Sequence, residues 1–194
     1  MQAAREHDAG LHRHSILVGE LTSAFCSYLG FSPADQSLLL KAALLHDIGK
    51  TAILRELLRK PAALTEAEML EMRLHPESGY LLLAAEGGHD AETLAVVHRH
   101  HERLDGSGYP DGLLAADISD PVRIVTLCDI YAAMTEPRPY GEPLQCHKAL
   151  ALMAMMRTRI DLRLMKQFAA MVNTMPLPAL NGLAPERFHP RDSA

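Results

Sequence analysis

The sequence predicts an all-α domain, a bundle of about eight helices. Three observations predict it. Apolar residues recur at helical spacing along nearly the whole chain, no convincing period-two alternation appears, and capping signals separate the apolar runs.

The elements follow in order. Leu11, His14, Val18, Leu21, Phe25 and Tyr28 form one stripe of a first helix, with His14 inside the apolar face. Gly30 closes it, and Ser32-Pro33-Ala34-Asp35 opens the next, with Ser as N-cap and Pro in the first turn. The second helix runs through Leu38, Leu39, Ala42, Ala43 and Leu45 into His46-Asp47-Ile48-Gly49-Lys50, where Gly49 is expected to end it. A short amphipathic segment covers Ile53 to Leu58 and stops at Pro61. Thr65-Glu66-Ala67-Glu68 is a capping box for a helix expected to reach about Ala85, broken or kinked at His75-Pro76. Residues 90–101 form a helix ending in two adjacent histidines. Pro121 to Thr135 reads as a buried helix carrying Asp129, and Gln145 to Met156 and Asp161 to Met175 complete the set. The domain is expected to span 1–175, followed by a Pro-rich tail over 176–194 with Pro176, Pro178, Pro185 and Pro190.

Composition narrows the function. A net charge of −5 leaves no general basic footprint and argues against duplex nucleic acid as a partner. Cys26, Cys128 and Cys146 show no C-x-x-C spacing, which argues against a thiolate zinc site and for a reducing compartment. No apolar run approaches a membrane span, and no signal-peptide core opens the chain, so cytoplasm is the expected location.

The eleven histidines carry the chemistry. His100 and His101 are adjacent, and consecutive helical residues point about 100° apart. Both rings can meet one centre only where a helix ends, and Gly106, Gly108 and Pro110 supply that end. His14, His46, Asp47, His75, His100, His101 and Asp129 all sit where apolar residues belong. Burying that many unpaired polar groups would cost roughly 1–3 kcal/mol each. A metal centre removes the cost, and imidazole with carboxylate suits iron, manganese, nickel or zinc. His7, His12, His89, His98, His147 and His189 are expected at the surface.

Two motifs carry a resemblance. His46-Asp47 in Leu-Leu-His-Asp-Ile-Gly-Lys is similar to the signature of the HD superfamily of metal-dependent phosphohydrolases. His100-His101-Glu102 followed by Asp105-Gly106-Ser107-Gly108-Tyr109-Pro110 resembles the motif of its HD-GYP branch. The resemblance runs from about His14 to Tyr140. It implies a helical HD bundle around a multinuclear metal site and metal-dependent hydrolysis of cyclic di-GMP to pGpG or GMP, with a hydroxide bridging two metals. Residue by residue, it implies that Asp47 bridges two divalent ions, iron or manganese before nickel or zinc. His46 and Asp129 would hold one, and His75, His100 and His101 the other, with His14 a further ligand. Lys50 would act in catalysis with Asp47 and contact phosphate; Tyr109 and Arg138 would contact the dinucleotide. It also implies a dimer, or partner signalling proteins, contacting the Gly-Tyr-Pro loop. Glu102, Arg103 and Asp105 are expected to brace that loop.

The chain departs from the pattern at several points. Where family members with a third metal carry an acidic residue, Gly10 stands here, which disfavours a third ion. The second aspartate of the helix around Asp129 is Ala132, and Gly141 replaces a basic residue after Arg138-Pro139-Tyr140. Near the C-terminus only Asp161 stays in register. These changes motivate an alternative, a weakly active or inactive receptor or scaffold binding a cyclic dinucleotide or a protein. The upstream sensory domain common in the family is missing from the sequence, as expected of a stand-alone protein or an excised domain.

Overall fold

The computed structural model describes residues 7–137 and 142–174, and among them there is no β-strand. The helices are α1 (Ala9–Tyr28), α2 (Pro33–Leu45), the single turn α3 (Arg55–Leu58), α4 (Glu66–Met72), α5 (His75–Glu86), α6 (Ala91–Arg99), α7 (Asp120–Thr135), α8 (Cys146–Ala154) and α9 (Leu162–Thr174). Short 3₁₀ turns occupy Ile48–Ala52, Ala115–Asp117 and Arg157–Arg159. Arg138, Gly141 and the 176–194 tail lie outside the described residues.

Local chemistry sets the helix starts. Asp8 caps α1 through the amides of Gly10 and Leu11, Ser32 caps α2, and Thr65 with Glu68 makes the capping box of α4. α1 packs on α2 and α7, α2 on α6, α5 on α6, and α8 and α9 close the far side. Phe25, Tyr131 and Phe168 meet edge-on there, with centroids 5.2 and 5.3 Å apart, and Met153, Met165 and Met171 fill in around them.

Several expectations change. The α1 stripe is buried from Leu11 to Phe25, but Tyr28 is 48% exposed. The break expected at His75-Pro76 is present but falls slightly earlier: two helices are parted at Arg73 and Leu74, just before His75. Gly49 does not cap α2, which ends at Leu45. A Cβ on Gly49 would fall 1.9 Å from the carbonyl oxygen of His75, so this glycine lets the His46-Asp47 turn press against the start of α5. His7, His12, His89 and His98 are half-buried, not surface residues; His147 is exposed, and His189 lies outside the described residues.

Candidate metal centre

Five elements converge on Asp47: α1 brings His14, the end of α2 His46, the start of α5 His75, the end of α6 His100 and His101, and α7 Asp129. His14, His46, Asp47, His75, His100 and Asp129 are all buried, and His101 is half-buried. Helix ends explain how neighbouring side chains share a target. His100 caps α6, so the backbone turns at once and carries His101 to the same centre, their ring centroids 4.2 Å apart.

Four of the rings are aimed from behind. The Nδ1 of His46, His75 and His100 stands 2.7, 2.8 and 3.0 Å from the carbonyl oxygens of Ala43, Met72 and Val97. A carbonyl only accepts, so each Nδ1 carries the proton and each Nε2 turns a lone pair inward. His14 is also held from behind, its Nδ1 2.9 Å from the carboxylate of Glu136, but its Nε2 faces the carboxylate of Asp129 and donates to it. Glu136 is absent from the sequence-based site, since nothing marks a glutamate at a helix end as the partner of a histidine far earlier in the chain.

The inward atoms fall into two groups sharing one carboxylate. Asp47 Oδ1 lies 3.2 Å from His75 Nε2 and 3.6 Å from His100 Nε2. Its Oδ2 lies 3.4 Å from His46 Nε2 and 4.0 Å from His14 Nε2. Asp129 Oδ1 stands 3.0 Å from His14 Nε2 and 3.9 Å from His46 Nε2. The donor sets Asp47/His75/His100/His101 and His14/His46/Asp129 are each compact enough to hold one ion. His14 thus joins the set of His46 and Asp129.

A divalent cation fits these residues. His75 Nε2 and His100 Nε2 face each other at 3.3 Å with both protons committed elsewhere, so two lone pairs oppose. His46 Nε2 and Asp47 Oδ1 are buried without a hydrogen bond. A cation between such atoms turns repulsion into coordination, and the all-N/O donors match the metals expected from the sequence.

Charge is distributed unevenly. Burial pushes His100 down to about 4 and holds His101 well below the ordinary imidazole range, with neighbouring imidazoles adding to both. Burial opposes charge on His14 too, but hydrogen bonds to Asp129 and Glu136 prevail and raise it to about 10. Asp47 and Asp129 sit below the usual carboxylate range: burial disfavours their charge, but Lys50 and His46 outweigh it for Asp47, and His14 and His46 do so for Asp129.

Around the centre, Lys50 donates to Asp47 Oδ2 at 2.5 Å. Tyr109 stacks on His101, centroids 4.7 Å apart. The buried Glu102 carboxylate accepts the amides of Asp111, Gly112 and Leu113 at 2.7–3.0 Å and pins the loop that follows the histidine pair. A Cβ on Gly108 would lie 2.3 Å from the Arg103 nitrogen, so only glycine lets the loop close that tightly. Arg103 donates to the Glu102 carbonyl, and Asp105 accepts from Ser107. Asp161 caps α9 and pairs with Arg123. Beside Gly10, Asp8 is committed to its helix cap and to Arg59.

The model of the HD domain matches residues 1–164. The chain belongs to the HD domain family. It is 38% identical over 160 residues to the cyclic di-GMP phosphodiesterase response regulator RpfG of Xanthomonas campestris, covering 82% of this chain and 42% of that protein. It is 37% identical over 165 residues to the 3'3'-cGAMP-specific phosphodiesterase 3 of Vibrio cholerae, covering 84% of this chain and 35% of that protein. The chain therefore spans about two fifths or less of the length of these relatives. The HD domain of the L. monocytogenes phosphodiesterase PgpH shares the fold, with a TM-score of 0.66 at 15% identity over 93% of this chain and 96% of that one. These relatives agree with the HD-GYP resemblance. Among the described residues no helix is long and apolar enough to cross a membrane.

Proposed function

We propose that this chain is a metal-dependent phosphodiesterase that opens a cyclic dinucleotide, cyclic di-GMP foremost, to pGpG or GMP. The observation that carries the reading is Asp47, whose two oxygens face two separate groups of inward-turned imidazoles. His75, His100 and His101 would hold one divalent ion and His14, His46 and Asp129 the other, with Asp47 touching both. Iron or manganese suits the donors first, nickel or zinc next. Such a pair, when bound, supplies Lewis acidity toward phosphoryl oxygens and acidifies bound water. The named phosphodiesterase relatives support the substrate class.

The chain's own residues do the rest. Lys50 places an ammonium on Asp47 Oδ2 at the edge of both groups, where a phosphate or leaving oxygen gains charge. Tyr109 stands beside His101 as a contact for the dinucleotide, and Glu102 keeps it there by fixing the loop. Arg138 is assigned to the substrate by resemblance alone. The resemblance of the Gly106-to-Pro110 loop to the HD-GYP motif favours a cyclic dinucleotide over a simple nucleotide phosphate.

Protein purified without chelator and supplied with Mn²⁺ or Fe²⁺ should convert cyclic di-GMP to pGpG or GMP, read by nucleotide chromatography with metal analysis alongside. A fully metallated sample without turnover at any pH tried would end the enzyme reading. Saturable calorimetric binding without product would then establish the receptor alternative that Ala132 and Gly141 motivate.

A further inference from the structure

We infer that Arg73 binds the phosphodiester of the cyclic dinucleotide that is not being cleaved. The inference rests on the cyclic-dinucleotide reading above and adds a binding residue to it. Arg73 is the exposed C-cap of α4, two positions before His75 in the chain. Its guanidinium carbon lies 5.2 Å over the ring of Tyr109, and that ring is stacked on His101 at 4.7 Å. The side chain is therefore held against the rim of the metal centre by a cation–π contact, and no hydrogen bond to another described side chain engages its N–H groups.

Its charge is also uncommitted. Arg59, Arg99, Arg123, Arg159 and Arg163 each have a carboxylate oxygen within 4 Å, and among the described residues none stands that close to Arg73. A cation with no counter-ion among the described residues, at the rim of the centre in a chain of net charge −5, is a local source of attraction for an anion.

Position decides which anion. The scissile phosphate must lie against Asp47 and the inward imidazoles, whereas Arg73 meets the site through Tyr109, at its rim and outside both donor sets, so it is assigned to binding and not to catalysis. A cyclic dinucleotide carries a second, permanently ionised phosphodiester across its ring, and two non-bridging oxygens match the guanidinium fork.

The test compares Arg73→Ala and Arg73→Lys with the unaltered chain, each loaded with Mn²⁺. The probes are cyclic di-GMP, cyclic di-AMP, and bis(p-nitrophenyl) phosphate, which has one phosphodiester and no second phosphate. For Arg73→Ala, KM should rise about 10-fold, alike for both cyclic dinucleotides, the size of one charge-assisted contact at a partly exposed site. Metal content, kcat and the rate on bis(p-nitrophenyl) phosphate should hold within about twofold, with Arg73→Lys intermediate. Anisotropy of a fluorescent cyclic di-GMP in the presence of chelator should show the same loss of affinity without turnover. A rise confined to cyclic di-GMP would make Arg73 a base reader and overturn the inference. An equal loss on bis(p-nitrophenyl) phosphate, or lost metal, would reduce it to a prop for Tyr109 and His75; unchanged KM and affinity would remove it altogether. Cleavage of bis(p-nitrophenyl) phosphate by the unaltered chain, with neither binding nor cleavage of cyclic dinucleotides, would instead sink the underlying reading, and this inference with it.

Discussion

In one half of the centre, His75 and His100 face a single oxygen of Asp47 with His101 beside them, and burial holds His100 and His101 neutral below the ordinary imidazole range. In the other half, His14 lies between Asp129 and Glu136, whose hydrogen bonds hold it protonated up to about pH 10. One half is rich in neutral nitrogen. The other already contains a balanced pair, an imidazolium against a carboxylate. A metal entering the first half meets free lone pairs on His100 and His101; a metal entering the second must first displace a proton from His14. The two sites are thus expected to differ in affinity and in pH response while sharing one bridging carboxylate.

The largest effect should come from removing what they share. Asp47→Ala leaves at least five histidines around two cations with Asp129 as the remaining carboxylate, and it should lose both ions and essentially all activity. Circular dichroism should remain helical, because the Phe25–Tyr131–Phe168 core lies elsewhere. A variant that still carries two metals per chain by elemental analysis would show that Asp47 does not bridge.

Lys50→Ala comes next. It keeps every proposed ligand and removes the cation on Asp47 Oδ2. If that charge acts mainly in the transition state, kcat and kcat/KM should fall together by about 10²-fold with metal content unchanged. Loss of metal would instead make Lys50 a support for the charge of Asp47.

A smaller change separates the halves. Glu136→Gln removes the charge behind His14 while leaving the other half untouched. Partners behind a ligating imidazole are worth roughly 10- to 100-fold in affinity. The low end, about 10-fold, is expected here, because a less basic His14 also competes less with protons. One ion per chain should exchange faster with a chelator and the other should not. Equal loosening of both ions would mean that the halves do not act independently.

The sequence disclosed residues whose chemistry contradicts their setting. Histidines and aspartates within apolar stripes stand out, and the two motifs order them; hence all seven proposed ligands meet in the structure. Helix identity was equally legible, since 3.6-residue periodicity and capping chemistry are local. What escaped depended on distant packing. Glu136 and Arg73 are charged residues in exposed or half-exposed positions, where charge is unremarkable, and only the fold brings them to His14 and Tyr109. Gly49 carries the local signal of a helix stop, but its actual constraint, the carbonyl of His75, comes from a helix much further along the chain. Likewise, Pro76 signals a break or a kink in the helix begun at Thr65, and only packing decides for a break, placed at Arg73 and Leu74.

The subtlest expectation concerns protons. At pH 7.5 the metal-free chain carries a proton on His14, and ligation through Nε2 must expel it, because Nδ1 is committed to Glu136. Metal binding to this half should release about one proton from His14. Its affinity should then rise about tenfold per pH unit up to about pH 10 and level off above, since below its pKa a proton competes one-for-one with the metal. His100, at about 4, and His101, lower than an ordinary imidazole, should add no such slope near neutrality. Titrating Mn²⁺ in two buffers of different protonation heat reads the difference directly: the apparent enthalpy of the weaker site should change with the buffer. Equal enthalpies in both buffers would mean that His14 is already neutral, and that the contrast between the halves does not lie in their protonation.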